Sequence, residues 1–162
     1  MSYAIYTTRG FILGSAPSGE ASKMYSIYTE DFGLIKGKAQ GVRLLASKLR
    51  YNLEDFSFAT FSLVRGKEVW RITGVEKEFA PLSDARVRAR VLNLTRRLVQ
   101  GEERNDALFT ALLSLKDESV SETSALAAIL DALGYLDKKA LEGKSEREAI
   151  LEINRALKET QL

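Results

Sequence analysis

The 162-residue chain contains no cysteine and no histidine. That absence excludes disulfides, thiol nucleophiles, imidazole general bases and every zinc site built on Cys or His. The opening stretch, Met1–Arg9, has neither a basic start nor a long apolar run, so it does not read as a signal peptide. No segment approaches the roughly 18 uninterrupted apolar residues of a membrane span, so a soluble, cytoplasmic protein is expected. Phosphate-loop signatures are missing too. Gly37-Lys38-Ala39 lacks the hydroxyl and the upstream glycine of a Walker loop, and no Gly-x-Gly-x-x-Gly occurs. The carboxylates isolate no catalytic pair: Glu102-Glu103 and Asp117-Glu118 fall between expected helices, where solvated charges belong. An enzyme would need a carboxylate-only or metal-dependent site, so a non-enzymatic protein without cofactor or metal is expected.

What is present is a globular mixture, 45% hydrophobic and 28% charged, with a net charge of +2 that is unevenly spread. Residues 1–80 carry 11 Lys and Arg against 8 Asp and Glu, and residues 81–162 carry 13 against 14. The basic signal is concentrated in residues 32–50, where Lys36, Lys38, Arg43, Lys48 and Arg50 occur without a single carboxylate. Leu34, Lys36 and Lys38 alternate with Ile35, Gly37 and Ala39, which predicts a strand with one basic face and one small apolar face. Gly33, Gly37 and Gly41 recur every four residues, as in a coiled strand that lets another backbone approach closely. Two uses fit such a strand. It is either a ridge for a phosphate backbone or an edge whose lysines deter pairing with other strands.

The other strands are expected at 3–13, interrupted at Arg9-Gly10, then at 23–29, 56–64 and 67–75, with a loop over 14–20 containing Pro17 and a hairpin at Arg65-Gly66. Five short strands with the longest excursion after the third predict a small closed barrel of OB type. Composition changes at Pro81. Ser83-Asp84 would cap a helix with Val87, Val91, Leu94 and Leu98 on one face, stopping near Gly101. Further helices are expected over 105–115, from 119–121 to Leu133 with Gly134 as the stop, and from Ser145. The last begins with the capping box Ser145-Glu146-Arg147-Glu148 and carries Ala149, Ile150, Ile153 and Leu157 on one side. The fold expected is α+β: an OB-type barrel over 1–80, then a small helical bundle over 81–162.

Tyr25, Tyr28, Phe32, Tyr51, Phe56, Phe58, Phe61 and Trp70 all lie in the first half. Most must fill the barrel, but alternation predicts that Tyr25 or Tyr28 faces outward beside the basic strand, where bases could stack. Arg86, Arg88, Arg90, Arg96 and Arg97 form a second basic cluster, which either extends a phosphate track or is a solvated face with salt bridges to acidic helices.

Thr29–Arg43, Ser47-Lys48-Leu49-Arg50, Leu53 and Phe56 together resemble the N-terminal OB domain of the RecO recombination mediators. That family shows a Phe-Thr-x-x-x-Gly, an Ala-Lys-Gly-Ala/Val-Arg, a Ser-x-Leu and a Pro-Phe in this order. Thr7–Gly10 with Gly19–Ser22 is similar to its opening, and Leu126–Tyr135 resembles its helix ending in Leu-Gly-Tyr. Gln40 stands where the family often has Lys. The Cys-rich zinc segment that many members carry after Leu-Gly-Tyr is replaced by Leu136–Lys144, which holds no cysteine. The resemblance implies binding of single- and double-stranded DNA, strand annealing and help in loading recombinase onto DNA coated by single-strand binding protein. RecR and that coating protein are the implied partners. DNA contact falls on Lys36, Lys38, Arg43, Lys48 and Arg50, with Arg9 from the opening segment counted with them. A protein-docking module and a single-strand RNA binder are the alternative readings.

Overall fold

A computed structural model describes residues 3–44, 47, 49–78 and 84–160. The chain divides into two compact units, Met1–Phe79 with Val99–Arg104, and Ala80–Leu98 with Asn105–Leu162. The first unit is a closed five-stranded barrel of OB type in the order β1-β2-β3-β5-β4, with β1 Ile5–Ser18, β2 Ser22–Thr29, β3 Gly33–Ala39, β4 Phe58–Arg65 and β5 Trp70–Lys77. β3 runs parallel to β5 through Gly37↔Trp70 and Lys38↔Arg71, and the other neighbours are antiparallel.

β1 is longer than the sequence suggests. It passes through Gly10 without a break, shifts register between Ile12 and Gly14, and continues through Pro17. The expected loop over 14–20 shrinks to a turn at Gly19, whose φ is +71°. Proline is tolerated there because residues 14–18 of β1 pair with β2 alone, leaving an edge where no amide is needed. β4 and β5 begin later than expected, because Phe56 adopts φ +64° just before β4, and the hairpin closes by Gly66 N–H donating to Val69 O at 3.1 Å.

β3 alternates as its sequence predicts. Ile35, Gly37 and Ala39 are buried, while Lys36 and Lys38 lie on the other face. Ile35 and Ala39 join Ile12, Tyr25, Ile27, Phe61, Leu63, Trp70 and Ile72 inside the barrel, and Val42 and Leu53 from the β3–β4 connection close one end. Gly37 is under Ile72: a Cβ there would sit 3.0 Å from Ile72 Cγ1.

Residues 99–104 form a strap on the barrel, although they follow a helix of the second unit. Glu102 accepts a hydrogen bond from Trp70 Nε1 at 3.0 Å and pairs with Arg65 at 3.4 Å, and the Arg65 guanidinium lies 4.2 Å from the Trp70 ring centroid. Phe32 and Tyr6 pack on the same indole, at 4.8 and 5.6 Å between centroids. Arg104 pairs with Asp31 at 3.4 Å. Gly33, at φ +67°, presses on the Glu103 backbone: a Cβ there would lie 2.7 Å from the Glu103 carbonyl carbon.

The second unit contains α1 Ala85–Leu98, α2 Asp106–Leu113, α3 Glu122–Ala132 and α4 Glu146–Glu159. Asn105, Ser121 and Ser145 accept from the amides of Leu108, Ser124 and Glu148, satisfying first-turn donors. Gly134 follows α3 at φ +83°. Pro81 and Ser83 lie outside the described residues, and Asp84 accepts from Arg86 N–H at 2.8 Å at the start of α1. The buried face of α1 is Val91, Leu92 and Thr95, rotated from the expected stripe. Thr95 tolerates burial because its hydroxyl donates to Val91 O at 2.8 Å. On α4 the buried residues are Ala149, Ile153 and Ala156, and Ile150 is exposed.

Candidate nucleic-acid interface

The basic face is built by strand register. Lys36 stands beside Ser26 of β2, and Lys38 stands between Met24 of β2 and Arg71 of β5. Lys36 Nζ donates to Ser26 Oγ at 2.7 Å, which fixes its head over the β2–β3 seam. Arg71 is exposed, and neither it nor Lys38 has a carboxylate partner among the described residues. Sequence reasoning did not include Arg71 in the site. The signal was there, since the alternation of Val69, Arg71 and Thr73 puts Arg71 outside and OB strand order puts β5 beside β3.

At the end of the barrel, Lys23, Tyr25, Val42, Arg43, Arg50 and Leu53 line a cleft of about 380 Å³. Tyr25, Val42 and Leu53 are buried and make its floor, while Arg43 and Arg50 are exposed at its rim. Arg43 is anchored on the β1–β2 turn. Its amide donates to Ala21 O at 2.9 Å and its Nη1 to Gly19 O at 3.0 Å. Arg50 opens the short 3₁₀ turn Arg50–Asn52 in the β3–β4 connection. Lys48 lies outside the described residues.

Two expectations need correction. Neither Tyr25 nor Tyr28 faces outward: they are 1% and 0% exposed. Alternation puts Tyr25 with the barrel interior, but over Tyr25–Thr29 the opposite face of β2 is closed to solvent as well. There Tyr28 pairs with Phe11, and Phe11 packs on Phe58 at 4.6 Å between ring centroids. A strand buried on both faces offers no stacking platform. The exposed aromatic nearest the cleft in sequence is Tyr51, adjacent to Arg50 and 72% exposed. Burial, followed by the negative potential of Asp55, raises the Tyr25 phenol above its usual 10.0.

Arg9 does not join the basic face. It belongs to the other end of the barrel, beside the Glu30–Gly33 turn, where Nε and Nη2 make a bidentate pair with Glu30, both at 2.9 Å. That hydrogen-bonded pair raises the Arg9 pKa above its usual value. In the arginine-rich helix α1, Arg90 is held in the same way by Glu122 of α3, at 2.7 and 2.8 Å, as the salt-bridge reading of that cluster expects. Among the described residues, no group of three or more Asp or Glu could hold a metal ion, and no helix is long and apolar enough to cross a membrane.

Comparison with known proteins agrees with this architecture. Residues 1–78 match the family described as Recombination protein O N terminal. The chain is 34% identical over 126 residues to the DNA repair protein RecO of Dehalococcoides mccartyi, covering 74% of this chain and 50% of that protein. It is 40% identical over 73 residues to the protein of the same name from Rubrobacter xylanophilus, covering 45% and 29%. Over 139 residues it is 29% identical to that of Alkaliphilus metalliredigens, covering 79% and 56%. The chain thus spans about half the length, or less, of these curated relatives. Matches of 126 and 139 residues are longer than the barrel unit, so they run on into the helices. With its barrel matched from end to end and its helices partly so, the chain belongs to the RecO family.

Proposed function

We propose that the chain is a non-enzymatic DNA-binding mediator of recombinational repair. It binds single- and double-stranded DNA, promotes annealing and assists recombinase loading in the cytoplasm, with RecR and single-strand binding protein as partners. The observation that supports this reading is the run of cations Lys36, Lys38 and Arg71 on one barrel face, continued at the barrel end by Lys23, Arg43 and Arg50. Residues two apart on a strand are about 6.6 Å apart and neighbouring strands about 4.8 Å, so the cations form a track on the scale of successive phosphates. Such contacts position a backbone without reading bases, so binding is largely independent of sequence. Tyr51 supplies the exposed ring, and a base stacked on it contributes about 1–3 kcal/mol.

The test is fluorescence anisotropy of a labelled single-stranded oligonucleotide across a salt series. With about four phosphates neutralised, the single-strand slope of −0.7 per phosphate gives roughly a fifty-fold loss of affinity between 50 and 200 mM salt. The double variant Lys36→Glu, Arg43→Glu abolishes binding while the circular dichroism spectrum stays unchanged. A folded double variant with unaltered affinity refutes the assignment, as does absence of binding by the wild-type chain at low salt.

A further inference from the structure

We infer that the cleft at the barrel end is a site for a terminal phosphate monoester, the phosphorylated end of a nucleic-acid strand. The inference rests on the DNA-binding reading and deepens it. Lys23, Arg43 and Arg50 surround the cleft, no carboxylate lines it, and none of the three is paired with a carboxylate among the described residues. Arg9, Arg65, Lys77, Arg90 and Arg104, by contrast, each hold an acidic side chain, and the neighbouring basic face, with Lys38 and Arg71, shares the cleft's lack of one among the described residues. Three cations gathered around one concavity without a counter-charge repel one another and focus a positive potential into it. Asp55 acts on the Tyr25 phenol but is not part of the lining, and Ser15 Oγ donates to it at 2.7 Å.

The shape selects the form of phosphate. The floor is closed by Tyr25, Val42 and Leu53, which are 1%, 2% and 5% exposed. Such a floor prevents a strand from threading through, so an internal phosphodiester reaches the cations only by bending in from the rim, whereas a strand end enters directly. A monoester also carries close to two negative charges against one for a diester, and guanidinium forks suit its oxygens. Arg43, fixed by the Gly19 carbonyl, holds one wall of the cleft in place without spending its charge. The outer-face cations Lys36, Lys38 and Arg71 would then track the diesters that follow.

The experiment uses the full chain and three oligonucleotides of one sequence, bearing a 5′-phosphate, a 3′-phosphate or hydroxyls at both ends, each labelled internally. At physiological salt, at least one phosphorylated form binds about tenfold tighter than the hydroxyl form. Lys23→Ala and Arg50→Ala each reduce that ratio toward one, while Lys36→Ala weakens all three oligonucleotides equally. Equal affinity for the three forms overturns the inference and leaves the DNA-binding reading standing, whereas no binding of any form overturns both. A nucleoside monophosphate serves as competitor. If it erases the end preference at the same concentration as the phosphorylated strand, the site belongs to a free nucleotide and the strand-end assignment falls. If it needs a large excess, the strand end is the ligand.

Discussion

Replacing Gly33 with alanine tests a close backbone approach between the barrel and its strap. Gly33 has φ +67°, and a non-glycine residue in the left-handed region costs roughly 1–2 kcal/mol. Gly19 has nearly the same angle, φ +71°, but a Cβ there meets nothing within 4 Å. Gly19→Ala therefore measures the conformational cost alone. At Gly33 the new methyl would overlap the Glu103 backbone, so the strap has to shift. The Glu102–Trp70 hydrogen bond is the contact most exposed to that shift, and a bond to a charged acceptor is worth about 1.5–3 kcal/mol. Gly33→Ala is thus expected to lose about 1.5–3 kcal/mol more than Gly19→Ala. With urea m-values of about 1–3 kcal/mol/M, the midpoints separate by roughly 0.5–3 M. Trp70 is the only tryptophan and is 1% exposed, so its emission follows the barrel through the transition and reports the strap in the native state. Equal midpoints for the two variants, with unchanged native emission, would refute the argument that the strap is held by contact at Gly33.

Other outcomes follow from single contacts. Glu102→Ala leaves the indole N–H of Trp70 without its acceptor and is expected to cost about 1–3 kcal/mol, with a shift in Trp70 emission; an unshifted spectrum contradicts the contact. The Tyr25 phenol is raised above 10.0, so its contribution is fully present below pH 10 and is lost as pH rises through the higher folded value. Stability should therefore decline on the alkaline side, and Tyr25→Phe should flatten that decline, as read from denaturation midpoints between neutral and alkaline pH. Ser121→Ala and Ser145→Ala each remove an N-cap acceptor and should cost about 1 kcal/mol, additively, in thermal melts followed by helical circular dichroism.

Much of the barrel could be read from alternation where one face is dry and the other wet. Ile35, Gly37 and Ala39 against Lys36 and Lys38 is such a case, and it gave β3 its correct orientation. Helix starts were legible for a chemical reason, because Asn105, Ser121 and Ser145 can each accept a first-turn amide. Alternation failed on β2, since a strand covered on both faces carries apolar and aromatic residues at every parity, and Tyr28 cannot then be assigned to solvent. The length of β1 was hidden by Pro17, whose tolerance depends on an open edge visible only in the sheet order. In the candidate site, Arg9 looked like one more cation because its partner Glu30 is 21 residues away in sequence. The cleft at the barrel end draws on β2, the residues just after β3 and the 3₁₀ turn, so no single stretch of sequence displays it.

The strap sets an order for synthesis. Residues 99–104 complete the barrel unit, yet the 14-residue helix α1 leaves the ribosome before they do. A nascent chain with β5 already emerged therefore holds a barrel in which Trp70 lacks its acceptor and the face of Gly33 lacks its cover. The barrel reaches its final form only once Arg104 has emerged, so its last folding step is timed by translation of the helical half.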